Sequence, residues 1–114
     1  MAQLIHIFLK KDSKMSIFRI KPYIETKDEK YFTFVSEIYQ MPFSMIQDGI
    51  DSCLLVMDEQ YPEMNWGLEV FDLTIHKETA VLSYNREFVA EIPTKEIYDM
   101  LVKYRDKLTE YESG

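Results

Sequence analysis

Hydrophobic and polar positions along the chain predict a mixed order of strands and helices, beginning with two strands. The apolar run over residues 3–9 predicts the first strand, which leads into a polar stretch over residues 10–14. Alternating positions over residues 15–24 predict the second strand, with Pro22 marking an edge or a strand end.

Two helices with a break at Pro42 are predicted next. Thr26 and Glu29 have the spacing of a capping box, in which each side chain satisfies the other residue's backbone N–H at a helix start. Ser44 and Gln47 repeat that spacing. The apolar stripes of the two helices are Tyr31, Phe34, Val35 and Ile38, then Ile46, Ile50, Cys53, Leu54, Met57 and Tyr61. Gly49 weakens the second helix, and residues 53–57 fit a buried strand as an alternative.

The C-terminal half predicts three strands and the clearest helix. After a loop with Pro62 and Trp66, strands are predicted over residues 68–75 and 79–84, with a third strand following. In the third strand Phe88, Ala90 and Ile92 alternate with Glu87, Val89 and Glu91, which is typical of one buried and one wetter face. Thr94 caps a helix whose apolar side is Ile97, Met100, Leu101, Tyr104, Leu108 and Tyr111.

The predicted order is β-β-α-α-β-β-β-α, which favours an α+β fold with a mostly antiparallel sheet covered by helices on one face. Strict β-α alternation is absent, so a doubly wound parallel fold is disfavoured. With 114 residues and 46% hydrophobic residues, the chain is expected to form a single domain over residues 1–114. No segment has the length of a membrane span, and one cysteine allows no internal disulfide, so we expect a cytoplasmic protein.

Charge is distributed unevenly. Eight acids and no Lys or Arg lie between Tyr31 and His76, and because the whole chain carries −7, the remainder sums to +1. Direct nucleic-acid binding is disfavoured because it requires cations that displace counterions. The acids are Glu37, Asp48, Asp51, Asp58, Glu59, Glu63, Glu69 and Asp72.

Residue types that usually carry catalysis are few and isolated. His6 and His76 have no second ligand at zinc-motif spacing, and no GxSxG, P-loop or GxGxxG sequence occurs. Cys53 has no cation within 20 residues to lower its pKa, and its apolar neighbours indicate a buried thiol. We therefore predict no catalytic residues, no metal site and no cofactor, and a protein that is not an enzyme.

Two features make the acidic segment a candidate interface. A helix over residues 44–60 places Leu55 opposite the apolar stripe and among Asp48, Asp51, Asp58 and Glu59, resembling an apolar anchor in a charged rim. The alternatives are a helix buried on two sides and a strand. Trp66 is the second anchor, or else a plug at one end of the core. The predicted partner-binding residues are Asp48, Asp51, Leu55, Asp58, Glu59, Glu63 and Trp66.

The segment WGLEVFDLTIHKETAVLSYNREFVAEIPTKEIYDMLVKYRDKL, on a small acidic chain, resembles the immunity proteins of bacterial polymorphic toxin and contact-dependent growth inhibition systems. The resemblance covers roughly the last 50 residues and implies that the protein neutralises one cognate toxin, often a nuclease, through protein association. It implies a partner with a basic surface, and the oligomeric state stays open. Two alternatives are a subunit of a larger assembly, and a small ligand-binding domain or enzyme.

Overall fold

The chain folds as an α+β structure, seen in a computed structural model that describes residues 5–8 and 21–113. A 3-10 turn at Glu29–Tyr31 precedes the first helix. In chain order the elements are β1 (Ile5–Phe8), β2 (Tyr23–Thr26), α1 (Phe32–Tyr39), α2 (Phe43–Met57), β3 (Met64–Gly67), β4 (Phe71–Ile75), β5 (Thr79–Tyr84), β6 (Glu87–Pro93) and α3 (Thr94–Ser113). The predicted fold class is confirmed. The predicted second strand lies partly outside the described residues, because residues 9–20 are not described.

Strands β3 to β6 form a four-stranded antiparallel sheet in which each strand pairs with its neighbours in sequence. Strands β1 and β2 form a separate antiparallel pair. Strand β3 adds to the predicted elements, because a loop was expected around Trp66. There Trp66 pairs with Leu73 of β4, and its side chain is buried in the core. This segment has weak local strand signals, and the burial of Trp66 stabilises it as an edge strand.

A helical layer covers one face of the sheet. Helix α2 contacts β3 and β4, helix α3 contacts β5 and β6, and the two helices pack against each other. Alternate sheet residues point into this layer and are buried: Trp66, Phe71, Leu73, Ile75, Ala80, Leu82, Ala90 and Ile92. The predicted apolar side of the last helix is also confirmed, since Ile97, Met100, Leu101, Tyr104 and Leu108 are all buried.

A β-bulge in the last hairpin changes which face Phe88 occupies. Leu82 pairs with Ala90, but the next residue, Ser83, pairs with Phe88, so Val89 is the extra residue. Phe88 therefore lies on the sheet face away from the helices and is 68% exposed, whereas Ala90 is buried. The predicted alternation placed them on one face and is wrong for Phe88, because one inserted residue reverses the order of faces.

Both helix starts differ from the predicted capping boxes. Thr26 ends β2, and the cap is Asp28, whose Oδ1 accepts a hydrogen bond of 3.2 Å from the backbone N–H of Lys30. Helix α2 begins one residue before Ser44 without a side-chain cap, and the Pro42 carbonyl accepts from the first free amides. Both capping-box assignments are wrong, because the surrounding structure satisfies the first amides in other ways.

Residues 53–57 are helical, so α2 is continuous and the strand alternative is excluded. Gly49 is buried in the middle of this helix, where a Cβ would lie 2.6 Å from the Trp66 ring and 3.0 Å from Leu101 Cδ1. The missing side chain lets α2 approach β3 and α3 closely. The helix-weakening glycine therefore serves packing.

Candidate protein-binding surface

Two aspartates on the solvent face of α2 and the aspartate that follows its last residue lie on one side of the helix. Asp48, Asp51 and Asp58 are all exposed, and their spacing of three and seven residues along the helix places them on one side. We call these three residues the α2 acidic face. It runs over about 15 Å, given a rise of 1.5 Å per residue.

The α2 acidic face carries uncompensated charge. Within the described residues, no Lys, Arg or His nitrogen forms an ion pair with any of these three carboxylates. Asp51 Oδ1 accepts a hydrogen bond of 3.1 Å from Gln47 Nε2, and Gln47 Oε1 accepts one of 3.3 Å from Arg105 Nη1. The amide of Gln47 thus separates the nearest guanidinium from Asp51 and leaves the negative charge available.

The apolar component of this face differs from the predicted single anchor. Leu55 lies among the aspartates as expected but is half-buried, whereas Leu54, placed on the buried stripe, is 37% exposed. The buried side of α2 is rotated toward Gly49 and Ser52, two small residues that an apolar pattern does not count. Successive residues of a helix are 100° apart around its axis. Because the buried side of α2 is centred closer to Gly49 and Ser52, Leu54 lies at the edge of that side and is partly exposed.

Trp66 fills the core. Its side chain is 5% exposed, and its indole N–H donates a hydrogen bond of 2.9 Å to the Met45 carbonyl of α2. Its ring lies edge-on to Phe71, with centroids 6.1 Å apart and planes at 82°. Trp66 was predicted to be either an interface anchor or a plug at one end of the core. The buried indole agrees with the plug, and its side chain is not accessible as an interface anchor.

Glu59 closes the C-terminus of α2. The Gln60 amide donates to the Leu55 carbonyl at 2.8 Å and the Glu59 amide to the Val56 carbonyl at 3.1 Å, which is a Schellman motif. Glu59 has a φ of 60°, in the left-handed region where glycine is favoured. Its carboxylate pairs with Lys77 in the β4–β5 turn. The hydrogen bond from Lys77, together with its charge, lowers the pKa of Glu59.

Replacing Glu59 should therefore separate its backbone strain from its ion pair. Glu59→Ala and Glu59→Gly both remove the carboxylate, but only Gly relieves a left-handed conformation that costs an ordinary residue about 1–2 kcal/mol. We expect the melting temperature of Glu59→Gly to exceed that of Glu59→Ala by about 4–8 °C or more. Thermal unfolding followed by circular dichroism measures it, and equal melting temperatures would contradict the expectation.

Glu63 is also engaged elsewhere. Its Oε1 lies 2.9 Å from Nε2 of His76, next to Lys77 in the β4–β5 connection. Glu69 and Asp72 lie at the opposite end of β4 and line a groove there. Seven of the eight acids thus separate into the α2 acidic face, two paired glutamates near the β4–β5 turn, and Glu69 and Asp72 at the far end of the sheet, whereas Glu37 lies on α1.

Cys53 and His6 are the remaining residues whose chemistry the sequence analysis considered. Cys53 is buried in the core, as predicted, and burial raises its pKa to about 12. Over the part of the chain with described side chains, no cluster of three His, Cys, Asp or Glu residues is arranged to hold a metal ion. His6 lies on β1, and its side chain is outside the described set. No described helix is long and apolar enough to cross a membrane.

A group of exposed apolar residues was missed by sequence reasoning. Leu68 and Val70, both about 40% exposed, lie in the β3–β4 turn, which had been predicted as strand, and Phe88 lies beyond the bulge. The position of Phe88 next to a hairpin turn was the sequence signal for its exposure. The apolar alternation of β6 instead suggested that Phe88 is buried.

The structure therefore describes an α+β protein whose best-defined surface feature is an acidic helix face. No protein-family model matches the chain, and neither curated proteins nor solved structures yield a match.

Proposed function

We propose that this is a binding protein, and specifically an immunity protein that neutralises a cognate bacterial toxin in the cytoplasm by associating with its basic surface through the α2 acidic face. The observation that carries the proposal is the row of three aspartates without ion pairs among the described residues. The resemblance of the C-terminal half to immunity proteins supports it.

Electrostatics explains how such a face would act. A nuclease concentrates cations where it binds phosphate, so a rigid row of carboxylates presents the complementary field. This attraction mainly raises the association rate and is screened beyond roughly 8–10 Å at physiological salt. Leu54 and Leu55 flank the aspartates and supply apolar area that slows dissociation.

A subunit of a larger assembly is the second candidate. The exposed aromatic residues Phe32 and Tyr84 favour it, because exposed apolar side chains that cluster often mark contact surfaces. Phe32 and Tyr84 line one shallow hollow of about 250 Å³. This alternative predicts poor solubility of the isolated chain and co-purification of a stoichiometric partner.

Charge reversal tests the immunity proposal. If the reading frame immediately upstream encodes a toxin domain, that domain is expressed with and without this protein, and bacterial growth is measured. We expect the wild type to restore growth and the triple variant Asp48→Lys, Asp51→Lys, Asp58→Lys to lose protection. Its association rate with the purified toxin should fall by about tenfold or more, and added salt should slow the wild type more than the variant.

The matched control reverses three exposed acids elsewhere. Glu25→Lys, Glu29→Lys and Glu78→Lys together change the net charge equally but leave the α2 acidic face intact. This control should still protect. Equal loss in both triple variants would assign the effect to net charge, and full protection by the α2 variant would refute the proposed surface.

A further inference from the structure

A groove of about 660 Å³ opens at the end of the sheet formed by the β3–β4 and β5–β6 turns. Its lining includes the turn residues Leu68, Glu69 and Val70 together with Asp72, Ser83 and Arg86. We call it the hairpin-end groove. It lies at the end of β4 away from the Glu63–His76 contact, and it is separate from the α2 acidic face.

Exposed apolar side chains lie in this groove and beside it. Leu68 is 41% exposed and Val70 is 42% exposed within it. Phe88 pairs with Ser83, which pairs with Asp72, so the phenyl ring is on the same sheet face as two lining residues. The bulge that displaces Phe88 from the core thus places the most exposed large apolar side chain of the described residues beside Ser83, which lines the groove.

The charge of the lining decides which partner fits. Glu69 and Asp72 carry two negative charges against one positive charge on Arg86, and no described ion pair neutralises any of the three. A second copy of this chain would bring carboxylates against carboxylates, and its net charge of −7 adds to the repulsion. Nucleic acid is disfavoured for the same reason.

We propose that the hairpin-end groove binds a protein segment with one large apolar side chain flanked by Lys or Arg. The apolar side chain packs on Leu68, Val70 and Phe88, and the cations pair with Glu69 and Asp72. Arg86 opposes this binding by repulsion. The inference rests on the proposed function, because it makes such a segment a second contact of the same basic partner.

Short peptides test the groove without the partner. The probe is acetyl-Gly-Lys-Phe-Lys-Gly-amide, and the matched peptides replace both Lys residues by Glu, or Phe by Ala. Titration into the ¹⁵N-labelled full chain should shift the amide resonances of residues 68–72 and 83–88 with the Lys-Phe-Lys peptide, and much less with either control. Shifts confined to α2 or to other surfaces, or no shifts with millimolar peptide, would overturn the inference.

Variants sharpen the test in both directions. Arg86→Asn removes the opposing charge with a residue that tolerates the left-handed conformation at this position, where φ is 71°, and should tighten peptide binding about two- to fivefold. Glu69→Lys should weaken it by a similar factor, and Phe88→Ser should abolish the preference for Phe over Ala. Unchanged affinity in all three variants contradicts the groove, and the folded dispersion of each spectrum shows whether the comparison is valid.

Two controls separate this inference from the proposed function. Asp51→Lys on the α2 acidic face should leave the peptide affinity of the groove unchanged. Failure of the peptide test with intact toxin protection by α2 would remove only the groove, whereas toxin protection that survives the α2 triple reversal removes the proposed function. Concentration-dependent shifts of residues 68–72 and 83–88 without peptide would assign the groove to self-association and overturn the proposal.

Discussion

Replacing Trp66 by Ala should lower the free energy of unfolding by about 3–5 kcal/mol, the range for truncating a large buried aromatic residue. The indole packs against both Phe34 and Phe71 and donates its N–H to the Met45 carbonyl, so the variant leaves a cavity and a carbonyl without its partner. Denaturant unfolding followed by circular dichroism measures the loss. Trp66→Phe is a milder variant that keeps a ring and loses the hydrogen bond.

Gly49 supplies an internal control for this packing. In the wild type, Gly49→Ala should destabilise, because the new Cβ would lie 2.6 Å from the Trp66 ring. In the Trp66→Ala background the same change should become neutral or stabilising, since Ala favours a helix over Gly by about 1 kcal/mol. A double-mutant cycle should thus show a coupling of about 1 kcal/mol or more. Additive effects, or a stable Trp66→Ala variant with weakened partner binding, would restore Trp66 as an interface anchor.

Leu101→Ala should lower the free energy of unfolding by about 2–5 kcal/mol through lost burial and the remaining cavity. Leu101 is fully buried in α3, and its Cδ1 would lie 3.0 Å from a Cβ at Gly49, so it fills the contact between the two long helices. Chemical denaturation at equilibrium measures the change. Its slope with denaturant should stay close to that of the wild type.

Leu54→Ala is the matched control for Leu101→Ala. It removes the same atoms from a helix, but Leu54 is 37% exposed beside the α2 acidic face, so we expect a loss of about 1 kcal/mol or less. Under the proposed function it should speed dissociation from the toxin. A small loss for Leu101→Ala, or an equally large loss for Leu54→Ala, would show that the packing of α2 against α3 is assigned incorrectly.

The local pattern of apolar residues predicted an element correctly where that pattern alone indicated which side of the element is buried. The predicted boundaries of β5, residues 79–84, agree with the structure, and the apolar side of α3 is buried as its spacing indicated. A helical period over 20 residues admits one stable orientation against a sheet. The two helix starts were less predictable, because the first backbone N–H groups of a helix can donate to several alternative acceptors.

The candidate site was predicted only in part. The angular position of Asp48, Asp51 and Asp58 follows from the helical period, so their common face was accessible to sequence reasoning. The partners of the two glutamates were not, because Glu59 forms an ion pair with Lys77 and Glu63 lies 2.9 Å from His76 across turns that a linear pattern does not relate. The burial of Trp66 depends on Gly49, 17 positions earlier, where the absence of a side chain makes room for the indole.

The linear order of apolar, small and charged residues determined the α+β class, the apolar side of the last helix and the negative charge of the middle segment, because each depends on local periodicity or on composition. Tertiary structure decided the identity of the exposed apolar residues. The extra residue in β6 places Phe88 on the sheet face away from the helices. The buried small residues Gly49 and Ser52 set the orientation of α2, in which Leu54 is partly exposed. Register and close approach depend on contacts between distant segments, and for that physical reason they are absent from the local pattern.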